Sequence, residues 1–253
     1  MKITRLLLMA LAVFAFSCSD DEPEPSLESA ELSLTGSAQL VVAPAALTTS
    51  SDPYAQMAAG WIESINAISQ YTLMFETPAG ATKSTTKITA TNGRPAGTTG
   101  EYLVYTWSDQ QSGYSVAYQI SQTSDHFTWE IFFKTSTSAD WLKYIHAEEK
   151  KDKSTGFMKV YDIWGFIDED PSLLLAFYNW SRNGDIFTFE MESDWFEMHV
   201  VLTVNTKTKA GSVVYYIGDM KWYEMTWDAA GNGTWKSFDE QGNIDEQGTW
   251  TAG

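Results

Sequence analysis

The feature that most restricts the fold of this chain is a long series of short apolar segments joined by links of a few residues. Most links contain Gly, Asn, Asp or Ser, which favour turns. A parallel connection between neighbouring strands needs about a dozen residues or more, and most of these links are shorter. The sequence therefore predicts a mainly β protein, in which one long antiparallel meander forms a curved sheet or an open barrel.

The predicted strands are Tyr71–Thr77, Thr82–Ala90, Glu101–Ser108, Gly113–Gln122, Phe127–Thr135, Trp141–Ala147, Gly156–Trp164, Ser172–Trp180, Asp185–Met191, Trp195–Val204, Ser212–Ile217, Lys221–Trp227, Gly233–Phe238 and Gly248–Thr251. Trp195–Val204 alternates cleanly, with apolar side chains from Phe196 to Val204 on one face, which indicates one buried face. Ser172–Trp180 is apolar on both faces, so each face must be covered. The candidates for the second cover are a helix and an apolar ligand or partner.

One helix is predicted before the strands. Asp52 followed by Pro53 is typical of an N-cap and the first helical position. Gly60 in the interior lowers helix propensity by about 1 kcal/mol relative to alanine. The helix is expected over Pro53–Gln70, because apolar residues recur three or four positions apart, at Met57, Trp61, Ile65 and Ile68.

The first residues have the pattern of a signal peptide. Two basic residues are followed by Leu6–Phe16, an uncharged run that is too short for a transmembrane helix of about 20 residues. Cys18, the only cysteine of the chain, follows two positions later. This ending resembles the lipobox of bacterial lipoproteins, although Ala15 and Phe16 depart from the usual motif. The resemblance implies cleavage after residue 17 and a lipid anchor on Cys18.

The residues after Cys18 are first acidic and then rich in proline, serine and threonine. Ser19-Asp20-Asp21-Glu22 is similar to the surface-export tag of lipoproteins in one large Gram-negative group, and a solvated acidic linker has the same composition. The segment that follows offers little apolar surface for a core. The predicted organisation is a signal peptide (1–17), a tether (18–52) and a single β-rich domain (53–253). The domain is expected at the outer membrane, on the periplasmic or cell-surface side.

The charge of the chain excludes some partners. The formal net charge is −17, and it becomes −19 without residues 1–17. Such a chain repels the phosphates of nucleic acids and an anionic membrane surface, whereas it favours cations or a basic partner. We therefore expect the lipid on Cys18 to make the membrane contact. With a single cysteine there is no disulfide framework, so packing must hold the domain together.

The order of the elements resembles a group of envelope proteins. A lipid anchor, a tether, one amphipathic helix and a long antiparallel meander are similar to the half-barrel lipoprotein-carrier and lipoprotein-receptor proteins of the bacterial envelope. In that family a curved sheet wraps helices over an apolar cavity that takes acyl chains. The resemblance covers residues 53–253 in element order only, and it assigns no residue.

Two kinds of ligand remain open. The first is apolar or amphiphilic, and its candidate contact residues are Leu174, Tyr178, Trp180, Trp222 and Trp227. The alternative is a glycan-binding or adhesin-like module, because the chain has 11 tryptophans and indole rings stack on sugar rings. Core packing competes for the same aromatic residues, since each of them buries a large area.

Enzyme motifs are missing from the sequence, which contains no Gly-x-Ser-x-Gly elbow, no His-Glu-x-x-His and no phosphate-binding loop. We therefore expect neither an enzyme nor a cofactor or metal. His126, His146 and His199 lie on three predicted strands and would bind zinc together only if the fold gathered them.

Two acidic features are assigned to turns. Asp168-Glu169-Asp170 is expected to be a solvated turn, rather than a metal clip or a pair of glycosidase carboxylates, and Phe166 and Ile167 beside it predict that this link packs back onto the domain. An Asp followed by Gly-Asn occurs at Asp228 and again at Asp239, which predicts two similar hairpin turns rather than calcium sites.

Overall fold

The computed structural model describes residues 26–35, 41–68, 75–92, 100–109, 113–166 and 168–251. In these residues, thirteen strands follow one another in a single sheet, each antiparallel to the next, and β1 and β13 form the two edges. The prediction of a mainly β antiparallel meander is confirmed, and the sheet is not closed into a barrel. The strands are β1 (Thr82–Ser84), β2 (Tyr102–Asp109), β3 (Tyr114–Gln122), β4 (His126–Thr135), β5 (Leu142–Lys150), β6 (Thr155–Tyr161), β7 (Leu174–Asn183), β8 (Ile186–Ser193), β9 (Met198–Asn205), β10 (Gly211–Ile217), β11 (Met220–Trp227), β12 (Gly233–Phe238) and β13 (Ile244–Trp250).

The strand predictions differ from the structure at several strand ends. Residues 162–164, for example, were predicted to end a strand and lie in the link after β6. Thr82–Ala90 is a strand only over Thr82–Ser84, because residues 85–92 leave β2 and run towards β5. Of the predicted strand Tyr71–Thr77, residues 71–74 lie outside the described residues and residues 75–77 are not in a strand. Trp195 and Phe196, predicted to begin a strand, lie in the turn before β9.

The predicted helix is present as α2 (Pro53–Ala67), after a single turn of helix, α1 (Ala45–Thr49). Asp52 caps α2, since its Oδ1 accepts hydrogen bonds from the backbone N–H groups of Tyr54 (2.9 Å) and Ala55 (3.2 Å). The predicted end, Gln70, lies outside the described residues. No helix in the described ranges is long and apolar enough to cross a membrane.

The predicted apolar stripe of α2 was partly wrong. Met57 is exposed, whereas the buried face is formed by Ala55, Ala58, Ile62 and Ile65. Two small alanines belong to this buried face, and next to them Tyr54 stacks on Trp235 of the sheet with ring centroids 3.7 Å apart. A pattern that counts only large apolar residues misses such a face.

We call the face of the sheet that carries α2 the inner face and the opposite one the outer face. Inner-face side chains from β2 to β13 form one continuous core with α2. Its largest fully buried members on the sheet include Trp129, Trp180, Phe187, Phe189 and Met158. Burial of this core is the main favourable contribution to folding, because the chain has no disulfide framework.

Residues 26–35 and 41–49, which composition predicts to be tether, belong to the folded domain. Leu32, Leu34, Val41 and Leu47 are all buried in the inner core. Polar contacts fix the segment in place, since the backbone N–H of Ser33 donates to Glu149. The proline, serine, threonine and acidic residues of the segment predicted a tether, but its few well-spaced apolar side chains suffice to join the core.

Candidate binding surface at one end of the sheet

The meander places every second link at the same end of the sheet. The links β2–β3, β4–β5, β6–β7, β8–β9, β10–β11 and β12–β13 all lie at one end, which we call the acidic end. These links contain no lysine or arginine. Their charged residues are Asp140, Asp162, Asp168, Glu169, Asp170, Asp194, Glu197, Asp219, Asp239 and Glu240. The links at the opposite end carry Lys151, Lys153, Lys207 and Lys209 beside their carboxylates, so the charge is strongly asymmetric.

Large aromatic side chains project from two links of the acidic end. Trp164 and Phe166, in the β6–β7 link, are 40% and 65% exposed. Trp195 and Phe196, in the β8–β9 link, are 47% and 64% exposed. The two rings of each link lie close together, with centroids 6.4 Å apart for Trp164 and Phe166 and 6.5 Å apart for Trp195 and Phe196. Exposed apolar groups of this kind are typical of an interaction site.

Ring contacts and a backbone hydrogen bond fix the position of the aromatic residues of the β6–β7 link. The indole of Trp164 lies edge-on to Tyr144, with ring centroids 4.6 Å apart, and 5.5 Å from the ring of Phe133. The buried carboxylate of Asp162 accepts a hydrogen bond from the backbone N–H of Phe166 at 2.8 Å. The link therefore packs onto the domain as predicted, but through Asp162 and Trp164, since Phe166 itself stays exposed and Ile167 lies outside the described residues.

Register shifts bend the sheet near this end. In four pairs of strands one residue is left without a partner in the register. These unpaired residues are Tyr144 in β5, Leu175 in β7, Trp222 in β11 and Asp245 in β13. Each skipped residue lies close to the start of its strand, and those strands start at the acidic end. Such bulges increase the local twist and redirect side chains at the rim of a sheet.

The five residues proposed as apolar-ligand contacts fall into two groups. Tyr178, Trp180 and Trp227 are buried in the inner core, and the indole N–H groups of Trp180 and Trp227 donate to Glu149 and to the backbone oxygen of Lys209. Leu174 and Trp222 are only partly buried, and both lie near the acidic end, four strands apart. The structure therefore does not bring the five side chains to one site.

A groove of about 570 Å³ runs between α2 and the chain before α1. Its walls combine apolar side chains, among them Val41, Val42, Ala59 and Ile62, with the polar side chains of Thr48, Gln56, Glu63 and Asn66. Gly60 lies in the groove, and a Cβ built on it would meet no atom within 4 Å. The helix therefore has a glycine that close packing does not explain.

The outer face carries a buried group of charges beside residues 85–92. The carboxylate of Glu130 accepts hydrogen bonds from Lys143 Nζ (2.6 Å), from His146 Nδ1 (3.2 Å) and from the side-chain amide of Gln119 (2.7 Å). His146 Nε2 lies 3.1 Å from a carboxylate oxygen of Glu148, which is half-exposed. Lys143 and Glu130 are almost fully buried, so removal of one charge would leave the other buried without a partner and would destabilise the fold.

These contacts shift the ionisation of the group. Burial alone would raise the pKa of Glu130, but His146 and Lys143 outweigh it and lower that pKa to about 2. Burial would likewise lower the pKa of His146, but its hydrogen bonds to Glu130 and Glu148 raise it. The arrangement thus favours a charged His146 between two carboxylates, and Gln119 and Lys143 occupy the remaining positions around Glu130.

The three histidines are not gathered. His126 lies 3.3 Å from Asp125, His146 belongs to the outer-face group, and His199 lies across from Glu192 of β8. A shared zinc site of the three histidines does not form in this fold.

The acidic turns have the geometry that was predicted. Asp170 accepts hydrogen bonds from the backbone and side chain of Ser172, in an exposed turn. Asp228 and Asp239 each accept from two backbone N–H groups and from the side chain of an asparagine four residues later. The two hairpin turns are therefore alike, and the carboxylate of each accepts hydrogen bonds from the backbone N–H groups of its own turn.

The chain was also compared with known proteins. No protein-family model matches it, and no curated protein matches it either.

Proposed function

We propose that this chain is a lipid-anchored lipoprotein of the outer membrane, attached through Cys18, and that its folded domain is a binding module rather than an enzyme. The signal-like Leu6–Phe16 and the single cysteine behind it support the anchor. The acidic end is the surface we assign to binding, because it combines exposed aromatic rings with carboxylates. Repulsion turns that end away from an anionic lipid surface, towards whatever approaches the membrane.

The ligand class that this surface fits best is a glycan. The observation that carries the proposal is the juxtaposition of Trp164, Phe166, Trp195 and Phe196 with the carboxylates of the same two links. A sugar ring offers an apolar C–H face, which stacks on an aromatic ring, and hydroxyl groups, which donate hydrogen bonds to carboxylates. Hydrogen bonds to an ionised acceptor are stronger than those between neutral groups.

The test is a glycan array, followed by calorimetry on the best glycan, with the full chain carrying Cys18→Ser in detergent. Replacing both Trp195 and Phe196 by alanine should weaken binding about tenfold or more, a loss of roughly 1.4 kcal/mol. Ile186→Ala is the matched control, because Ile186 is 39% exposed but lies at the opposite end of the sheet. Equal losses in both variants, or no glycan bound on the array, would contradict the proposal.

A second candidate ligand is an amphiphile held along α2. The observation that favours it is the 570 Å³ groove, in which Gly60 leaves open space beside Val42 and Ile62. Native mass spectrometry of the periplasmic protein should then show a co-purifying mass of several hundred daltons that is released on unfolding. Gly60→Phe should fill the groove and remove that mass, whereas Met57→Phe, on the exposed side of α2, should retain it.

A further inference from the structure

Three side chains that can bind a metal meet on the outer face near the acidic end. Glu190 and Glu192 of β8 point to the same face, because they are two residues apart. His199 of β9 is the register partner of Glu192. One ligand atom from each of the three side chains lies within 4.8 Å of the other two.

The imidazole of His199 is held in place by a neighbouring ring, and its Nε2 makes no hydrogen bond within the described residues. The ring of Tyr216, its register partner on β10, stacks on it with centroids 5.1 Å apart and planes 18° apart. His199 Nε2 is buried at the atom level and makes no hydrogen bond within the described residues. It faces a carboxylate oxygen of Glu192 at 4.0 Å, which is too long for a hydrogen bond.

Among the described residues, no lysine or arginine is paired with either carboxylate. Within the described part of the chain, no lysine or arginine nitrogen lies within 4.0 Å of Glu190 or Glu192. Lys159 lines the cleft beside Glu192, but it lies over the rings of Phe157 and Phe177. Two like charges and a nitrogen without a hydrogen bond therefore lie together on the sheet, and a bound divalent cation would remove both unfavourable features.

We propose that Glu190, Glu192 and His199 form a zinc site. Zinc accepts carboxylate oxygen and imidazole nitrogen at about 2.0–2.2 Å, and a tetrahedral site with three protein ligands keeps one position for water or a ligand. The ligand atoms of such a site are roughly 3.3 Å apart, so the long and partly exposed glutamates must close by about an ångström. This proposal does not rest on glycan binding.

The experiment is calorimetry of the full chain, carrying Cys18→Ser and no histidine tag, after removal of metal with a chelator. Titration with ZnCl₂ at pH 7.5 should give one saturable equivalent, and Co²⁺ should give visible absorption bands of a low-coordinate site. His199→Ala should abolish the saturable equivalent, and Glu192→Gln should weaken it about tenfold or more. A zinc-dependent rise in melting temperature should appear in the unsubstituted chain and vanish in His199→Ala.

His126→Ala is the control, since His126 is partly exposed beside Asp125 on a distant strand. It should bind zinc as the unsubstituted chain does. Circular dichroism establishes that each variant is folded. The proposal is overturned if zinc shows no saturable binding, or if His199→Ala binds with unchanged affinity and stoichiometry.

Discussion

At the scale of single residues, tryptophans cover glycines across neighbouring strands. Trp180 lies opposite Gly156, Trp227 opposite Gly211 and Trp250 opposite Gly233. In each pair a Cβ on the glycine would lie within 3 Å of the indole ring. Glycine ordinarily weakens a strand, but here the absence of a side chain lets the indole ring pack directly on the glycine backbone. The pairing explains several of the many tryptophans as packing.

Gly233→Ala should destabilise the domain by about 1–3 kcal/mol, the usual effect of overpacking. The new Cβ would lie 1.9 Å from Trp250 and 2.4 Å from the backbone oxygen of Thr226, which cannot move away. Gly60→Ala is the matched control and should instead stabilise the domain by up to about 1 kcal/mol, because that site in α2 is open. Urea unfolding measures both, and effects of the same sign would refute this explanation.

Protonation of His146 should make stability depend on pH. The pKa of His146 is raised from 6.5 by Glu130 and Glu148, despite burial. The stabilisation is therefore complete below pH 6.5 and is lost as the pH rises through the pKa of the folded protein. Glu130 acts in the opposite direction: its contribution is present above its ordinary pKa of 4.5 and is lost as the pH falls towards about 2.

Denaturant unfolding at a series of pH values checks this. The free energy of unfolding should fall as the pH rises above 6.5, and His146→Gln should flatten the profile in that window. His126→Gln, at a partly exposed position, should keep the slope of the unsubstituted protein. A slope that survives in His146→Gln would show that another group carries the dependence.

At the scale of elements, the segment before α2 acts as part of the core. Asn66 of α2 binds it like a neighbouring strand, since its side chain accepts from the N–H of Val41 at 3.1 Å and donates to the oxygen of Val41 at 2.8 Å. Ser33 binds Glu149, a buried carboxylate that also accepts from Trp180. The segment thereby links the helix to the middle of the sheet.

Leu34→Ala should therefore lower the free energy of unfolding by about 2–5 kcal/mol, since Leu34 is fully buried. Val42→Ala, at a position 45% exposed, should change it by no more than about 0.5 kcal/mol. Thermal or urea unfolding of both variants measures the difference. Equal stability of the two would mean that the segment contributes nothing to the fold.

At the scale of the whole molecule, successive links of the meander lie at alternate ends of the sheet, and the two ends differ in charge. Links that follow even-numbered strands carry carboxylates and exposed aromatic residues without lysine or arginine, and links that follow odd-numbered strands carry lysines beside their carboxylates. A lipid at Cys18 would hold this polarised sheet at a membrane without help from its surface charge, which is negative overall.

Cys18→Ala should release the protein from the membrane fraction of the cells that make it, because a lipid chain supplies the binding energy that the acidic domain lacks. Fractionation and immunoblotting measure the distribution. The melting temperature of the domain should stay unchanged, which separates loss of the anchor from loss of the fold. Retention of the Cys18→Ala protein in the membrane would refute the anchor.

Local signals in the sequence determined much of this protein. Most links are too short for parallel crossovers, so the antiparallel order of most strands followed from sequence alone. Asp52 with Pro53 set the start of α2, because capping involves only neighbouring residues. The tertiary structure decided which apolar side chains are buried, among them Leu34, which face of α2 packs on the sheet and which tryptophans belong to the core. It also decided which charged residues meet, as Glu130 does with His146 and Glu192 with His199. Each depends on which strands lie side by side, on four one-residue register shifts and on what covers each face, and such non-local contacts leave no periodic trace in the chain.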